Sequence, residues 1–92
     1  MTPELIEEFE FTIAQVNNYK NITTISNDEK LEMYKYYKQA TCGNNNIDKP
    51  YFYQLVEVEK WNAWSSIHDM LEGEAMVNYI KTFKTIKKKY EN

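Results

Sequence analysis

Apolar residues recur at intervals of three and four along much of the chain, with polar residues between them. This spacing places the apolar side chains on one face of an α-helix, whereas a β-strand would require strict alternation. The first such stretch covers roughly residues 3–19, where Thr2 is suited to cap a helix and Pro3 to occupy its first position. Its apolar face comprises Leu5, Ile6, Phe9, Ile13 and Val16. The pattern predicts a first amphipathic helix.

A second helix is predicted after residues 21–26, NITTIS, whose β-branched and polar composition indicates a loop. Ser26 ends this loop and Glu29 follows three residues later, which is the spacing of a capping box. One face of the helix then carries Leu31, Tyr34, Tyr37, Lys38 and Thr41. The helix should stop within CGNNNIDKP, because Gly43 suits a left-handed cap and Pro50 cannot continue a helix interior.

Two further helices complete the predicted fold. The third holds Val58, Trp61 and Trp64, with Ile67 as a candidate extension, and the tryptophan spacing predicts that both rings lie in the core. The fourth has the clearest apolar face, made of Met76, Tyr79, Ile80, Phe83, Ile86 and Tyr90. No stretch alternates like a strand. We therefore predict a single all-α domain over residues 1–92, a four-helix bundle with a long loop between helices two and three.

The composition argues against several classes of partner. A formal charge of −3 and the absence of arginine disfavour duplex nucleic acid, which requires a broad basic surface. No apolar run approaches the ~20 residues of a membrane span, so stable membrane insertion is not expected. The initial segment MTPELIEEFEF is acidic and helical in character, unlike a secretory signal, which leads us to expect a cytoplasmic protein.

Catalytic and metal-dependent chemistry are not expected either. Cys42 and His68 are the only residues of their types, and together they cannot supply a tetrahedral zinc site. The sequence contains no nucleophile elbow, phosphate-binding loop or dinucleotide fingerprint. We therefore predict a protein that is not an enzyme and has no cofactor.

The second helix nevertheless carries candidate binding chemistry. Tyr34, Tyr37 and Lys38 share a face in helical geometry. A tyrosine ring can stack on a nucleobase, at about 1–3 kcal/mol per base, and a lysine ammonium group suits phosphate oxygens. Alternatively, the tyrosines pack at helix contacts with their hydroxyls at the edge, and the lysine stem lies alongside them. Periodicity by itself favours this second, structural interpretation for the tyrosines of the second helix and also for Tyr79. For Lys60, it favours an ordinary solvent-exposed lysine on a helix.

Several short motifs carry more information together than any one of them alone. They occur in the order YKYYKQAT, DKP, KWNAW, AMVNYI and KKKY, between Tyr34 and Tyr90. In this order and with these intervals they resemble the acyl-CoA-binding protein family, and Phe9, Ile13 and Val16 are similar to its first helix. The resemblance implies a bundle in an up-down-down-up arrangement. It also implies reversible carriage of long-chain fatty acyl-CoA esters without catalysis.

The resemblance implies particular roles for the aromatic and basic residues. Tyr34, Lys38 and Lys60 would surround the ribose 3′-phosphate of coenzyme A. Tyr37 would meet the adenine, and Tyr79 would close the site from the fourth helix. This interpretation explains why tyrosine and lysine are concentrated in one stretch of an acidic chain.

The resemblance also implies that Leu31 and Met33 line the acyl chain.

The sequence departs from the family at several positions near the implied site. Relatives have an apolar residue at the position of Lys30, a basic one at the position of Asn17, and a lysine- and glycine-containing approach to the third helix in place of the acidic VEVE at 56–59. The loop before the second helix is also two residues longer than in relatives. Acyl-length preference and affinity are therefore left open.

Two functions from different classes follow. The leading one is a monomeric carrier and pool former for long-chain acyl-CoA in lipid metabolism, a transport role. The alternative is a helical protein-interaction module without a small-molecule ligand, in which the same aromatic residues are core and Phe11 marks a partner surface. Binding of coenzyme A esters to the purified chain distinguishes the two.

Overall fold

A computed structural model describes residues 1–91, in which the regular elements are four α-helices and no strand occurs. The elements are α1 (Pro3–Asn17), α2 (Asn27–Cys42), α3 (Leu55–Ser65) and α4 (Glu72–Tyr90). The predicted all-α class is confirmed, as is the long loop between the second and third helices. Among residues 1–91, no helix combines the length and the apolar composition that a bilayer-crossing segment needs.

The predicted starts of α1 and α2 and the predicted end of α2 are confirmed, and local hydrogen bonds define them, whereas α1 ends at Asn17, two residues before the predicted position, and α3 ends at Ser65 without reaching Ile67. Thr2 Oγ1 accepts from the Leu5 amide at 3.1 Å at the start of α1. At the start of α2 the Glu29 amide donates to Ser26 Oγ at 3.1 Å, and the Ser26 amide donates back to Glu29 Oε1 at 2.9 Å. Gly43 ends α2 with φ of 77°, a conformation that side chains disfavour.

The relative directions of the four helices follow from the side-chain contacts between them. Phe9 meets Tyr79 and Tyr19 meets Phe83, both edge to face, so α1 and α4 run in the same direction. Glu29 near the start of α2 meets the last residue of α4, so these two helices are antiparallel. Lys60 lies over Tyr34 and Trp64 bonds to Gln39, so α3 runs parallel to α2. The order is up-down-down-up, as predicted.

The core lies mainly between α1, α2 and α4. Its buried apolar members include Phe9, Met33, Met76, Tyr79, Ile80, Phe83 and Ile86. Ile25 from the segment between α1 and α2 belongs to the same cluster. This segment is a loop, as predicted, but it contributes to the core.

The two tryptophans of α3 have different environments. Trp64 is 3% exposed, and its indole N–H is shared between the Gly43 carbonyl at 2.9 Å and Gln39 Oε1 at 3.2 Å. Trp61 is only half-buried and donates to the Ile47 carbonyl at 2.7 Å. The prediction that both are core residues is confirmed for Trp64 and wrong for Trp61, because α3 packs on α2 alone and Trp61 covers the long loop instead.

The start of α2 is tied to the end of α4 through one carboxylate. The Tyr90 hydroxyl donates to Glu29 Oε1 at 2.6 Å and Lys89 Nζ lies 3.1 Å from Glu29 Oε2. The bond from Tyr90 and then the Ser26 backbone bond lower the pKa of Glu29 from 4.5 to about 2. Glu29 therefore stabilises the fold while it is ionised.

Replacing Glu29 by Gln should lower the melting temperature at neutral pH and leave it almost unchanged at pH 2. A carboxyl whose pKa is lowered on folding contributes its full stabilisation above its unfolded pKa of 4.5, and this contribution disappears as the pH falls toward about 2. Thermal melts of the wild-type, Glu29→Gln and Glu10→Gln chains between these limits test this. A melting-temperature difference that does not narrow over this range would contradict the assignment; exposed Glu10 is the control.

Candidate ligand-binding site

A cavity of about 280 Å³ lies between α1, α2, α4 and the segment that joins α1 to α2. Most of its wall is apolar and includes Ile13, Val16, Ile22, Met33, Phe83 and Ile86. These residues come from α1, α2, α4 and the joining segment. On each of the three helices, the helical period places the apolar side chains on the face that borders the cavity. The cavity can therefore take an apolar chain.

Three tyrosines lie at one part of this wall. Tyr34 and Tyr37 come from α2 and Tyr79 from α4, and the ring centroids of Tyr37 and Tyr79 are 6.1 Å apart. Tyr79 is 4% exposed, whereas Tyr37 is 38% exposed and keeps an open face. Burial, together with the nearby Tyr37, raises the pKa of Tyr79 to about 12. Tyr79 thus remains a neutral hydroxyl that can donate to a ligand oxygen.

A smaller pocket of about 180 Å³, called the basic pocket below, shares Tyr34 with the cavity and has one lysine, Lys60, in its wall. Its wall includes Tyr34, Lys60 and Trp64. Lys60 Nζ lies 5.5 Å from the centre of the Tyr34 ring, and Lys38 Nζ lies 4.9 Å from that of Trp64. Tyr34 lines both spaces, so the basic pocket and the apolar cavity lie next to each other. A ligand with an anionic head and an apolar tail matches this arrangement.

The charges around the pocket favour an anion, though less strongly than the lysines alone suggest. Within residues 1–91, neither Lys38 nor Lys60 forms an ion pair with a carboxylate. Both ammonium groups are therefore available to a phosphate. Glu57 lines the same pocket and opposes them. It belongs to the acidic stretch 56–59 that the sequence showed as a departure.

The structure brings most of the predicted site residues together. Tyr34, Tyr37, Tyr79 and Met33 line the cavity, and Lys60 shares the adjoining pocket with Tyr34. Lys38 does not line this pocket, but its Nζ lies over the ring of Trp64, which does. Their roles toward a ligand stay predictions.

Leu31 does not lie with the other predicted acyl-chain residues. It lines a separate groove that also includes Ala63 and Ser66, between α2 and α3. Positions 31 and 33 are two residues apart, so their side chains point to different faces of α2. Only Met33 is placed on the wall of the apolar cavity.

Sequence reasoning missed the contribution of the segment between α1 and α2. Ile22 and Ile25 both line the cavity, and Ile25 is buried. Their spacing of three within a polar loop was the available signal. Asn17 and Lys30, two of the positions that depart from the family pattern, line this same cavity.

No group of three or more His, Cys, Asp or Glu side chains within the described residues is arranged to hold a metal ion. Cys42 is exposed at the end of α2, and exposed His68 lies 3.5 Å from Asp69. Neither residue lines the apolar cavity or the basic pocket. The chemistry that the site presents is stacking, hydrogen bonding and charge.

Comparisons with known proteins agree with this chemistry. A family model described as acyl CoA binding protein matches residues 6–83. The zebrafish (Danio rerio) acyl-CoA-binding domain-containing protein 5A is 48% identical over 61 residues, which are 66% of this chain and 12% of that protein. The acyl-CoA-binding domain-containing protein 6 homolog of Dictyostelium discoideum is 38% identical over 82 residues, 87% of this chain and 28% of that protein. The chain thus spans a small part of the length of these curated relatives.

Solved structures match over nearly their whole length. The crystal structure of Oryza sativa acyl-CoA-binding protein 2 superposes with a TM-score of 0.86 at 34% identity, covering 95% of this chain and 94% of that one. The solution structure of acyl CoA binding protein from Babesia bovis superposes with a TM-score of 0.77 at 39% identity, covering 94% and 97%. With the family model covering residues 6–83, these matches show that the chain belongs to the acyl-CoA-binding protein family.

Proposed function

We propose that this chain binds coenzyme A esters of long-chain fatty acids reversibly and carries them, as a monomer in the cytoplasm, for use in lipid metabolism. Residues 1–92 would act as one acyl-CoA-binding domain. The observation that supports the proposal is that Tyr34 lines both an apolar cavity and the neighbouring pocket that contains Lys60. Family membership supports the same ligand class.

The head group of the ligand is proposed to lie on the side of α2 and α3. The ribose 3′-phosphate would accept hydrogen bonds from Lys38, Lys60 and the Tyr34 hydroxyl. The adenine would lie against the open face of Tyr37, and stacking of this kind is worth about 1–3 kcal/mol per base. Tyr79, kept neutral by its raised pKa of about 12, would close the site from α4.

The acyl chain is proposed to occupy the apolar cavity, in contact with Met33 and the aliphatic residues of α1 and α4. Burial of each methylene is favourable by about 0.8 kcal/mol at most, so the tail supplies much of the affinity. Leu31, in the separate groove between α2 and α3, would contact only a part of the tail that extends beyond the cavity. We propose no catalytic step and no cofactor, since the function is to bind and release an unchanged ester.

The experiment that tests this function is calorimetric titration with hexadecanoyl-CoA and its 3′-dephospho analogue. Charge-assisted hydrogen bonds contribute about 1.5–3 kcal/mol, so Lys38→Ala and Lys60→Ala should each weaken binding of the intact ester by roughly 10- to 100-fold. The 3′-dephospho ester should bind the wild-type chain with a similar loss. It should also be nearly insensitive to either substitution.

Lys88→Ala, which removes an exposed lysine from the end of α4, is the matched control and should bind both esters like the wild type. Melting temperatures of all variants show whether the truncated lysines also destabilise the fold. Equal losses for both esters would contradict the assignment of Lys38 and Lys60 to the 3′-phosphate. No binding of hexadecanoyl-CoA by the wild type would reject the carrier function and leave the protein-interaction alternative.

A further inference from the structure

One end of the apolar cavity carries polar groups. Asn17 is the last residue of α1, Lys30 lies in the first turn of α2, and Tyr19 lies in the segment between these helices; all three line the cavity. Because a short connection joins them, they belong to the same end of the cavity. Tyr37 is seven residues further along α2 than Lys30, about 10 Å at the helical rise. Lys30 therefore lies about two turns of α2 from Tyr37 and about one turn from Tyr34.

The Tyr19 hydroxyl has an unusual environment. Tyr19 is 8% exposed and its ring packs edge to face on Phe83, with centroids 5.3 Å apart. Its hydroxyl is the one buried side-chain polar atom within residues 1–91 that has no hydrogen-bond partner. Buried polar atoms are almost always paired, and an unpaired one calls for a specific explanation. Tyr19 lines the cavity, but its hydroxyl is covered by neighbouring side chains, so a ligand that displaces them and pairs with the hydroxyl is such an explanation.

Lys30 is available to an anion. The residues three and four positions away, where a carboxylate could pair with it along the helix, carry no acid: Ser26, Asn27, Met33 and Tyr34. Within the described part of the chain, Lys30 forms no ion pair, whereas Lys35 in the next turns of α2 lies 2.9 Å from Glu32. The cavity thus has an uncompensated cation at this end.

We propose that this end of the cavity receives an acyl chain that terminates in a carboxylate, with Lys30 supplying the charge and Asn17 and Tyr19 donating hydrogen bonds. All three side chains can donate, and a carboxylate only accepts. Lys30 and Asn17 are exposed, so the carboxylate keeps part of its hydration and avoids the full cost of burying a charge. This inference rests on the proposed function and specifies its ligand class: coenzyme A esters of long-chain dicarboxylic acids.

The test is titration calorimetry with three esters of equal chain length: hexadecanoyl-CoA, its ω-hydroxyl derivative and its ω-carboxyl derivative. Lys30→Met should weaken binding of the ω-carboxyl ester by about fivefold, the upper range for an exposed ion pair. The same variant should bind the unsubstituted ester as well as or better than the wild type, because methionine extends the apolar wall. Tyr19→Phe should weaken both substituted esters and leave the unsubstituted one unchanged, since only the hydroxyl is removed.

Lys81→Met is the matched control, because this exposed lysine of α4 lies outside the cavity wall. It should leave all three affinities unchanged. If Lys30→Met does not alter the ratio of ω-carboxyl to unsubstituted affinity, the inference is wrong while the proposed function stands. If the ω-hydroxyl ester depends on Lys30 as strongly as the ω-carboxyl ester, the assignment to a carboxylate is overturned. If the wild type binds none of the esters, the proposed function fails and this inference fails with it.

Discussion

The affinity of the chain for coenzyme A esters will rise steeply from free coenzyme A through short esters and level off at long chains. Each methylene that leaves water contributes about 0.8 kcal/mol, so the fourteen methylenes of a palmitoyl tail have an upper limit of about 11 kcal/mol. Ordering the flexible tail offsets part of this gain. The plateau should begin where the tail outgrows a cavity of about 280 Å³. Calorimetric titration with a matched series from acetyl to palmitoyl measures this dependence.

A variant that fills the cavity should move the plateau to shorter chains. Val16→Phe adds volume to the cavity wall, and Ile6→Phe makes the same kind of change at an exposed position of α1 as a control. Short esters should bind both variants like the wild type, and only Val16→Phe should bind palmitoyl-CoA more weakly. Equal affinity of the wild type for acetyl and palmitoyl esters would contradict the proposal, because the acyl chain would then contribute nothing to binding beyond the coenzyme A head group.

The second large effect is on stability and separates the two tryptophans. Trp64→Ala should lower the free energy of unfolding by about 3–5 kcal/mol, the usual cost of removing a large aromatic ring from a core. The loss also leaves Gln39 Oε1 and the Gly43 carbonyl without their shared indole donor. Trp61→Ala should cost clearly less, because Trp61 is half-buried and its main loss is one hydrogen bond to Ile47, worth about 0.5–1.5 kcal/mol.

Urea unfolding, with the slope of free energy against denaturant compared between variants, measures both losses. Trp64→Phe is an informative third variant, since it keeps a ring in the core but has no indole N–H. It should lie between the wild type and Trp64→Ala. Equal destabilisation by Trp61→Ala and Trp64→Ala would contradict the different environments of these rings.

The elements of the fold could be predicted because their signals are local. Thr2, Ser26, Glu29 and Gly43 define helix ends through bonds to residues three or four positions away. The apolar spacing of α4 identified its buried face for the same reason. Such features depend on the period of one helix and hardly on its neighbours.

The partners of each face could not be predicted in the same way. Trp61 and Trp64 share a face by spacing, but only the packing of α3 on α2 decides which ring is covered. The same holds for Ile25, whose burial depends on contacts with distant residues. Tertiary packing decides these cases, and the local period carries no information about it.

In the candidate site, some features follow from local spacing and others depend on tertiary packing. The proximity of Tyr34 and Tyr37 follows from their spacing on α2, although periodicity alone favoured a purely structural role for them. The meeting of Lys60 and Tyr79 with α2 requires the whole bundle, and only the resemblance of the ordered motifs to a known family predicted it. The basic pocket and the apolar cavity meet at Tyr34, which no local pattern indicated.

The segment between α1 and α2 has a consequence for how such a domain can change. Residues 18–26 wall off the cavity with Ile22 and Ile25, while the groups proposed to hold the nucleotide come from other parts of the chain. Substitutions at Ile22, which is 38% exposed, should therefore change the size of the tail that the cavity accepts without altering the residues proposed to hold the nucleotide. A library confined to the exposed positions of this segment, with buried Tyr19 and Ile25 and the capping residue Ser26 kept, is a compact starting point for engineering carriers with new tail preferences.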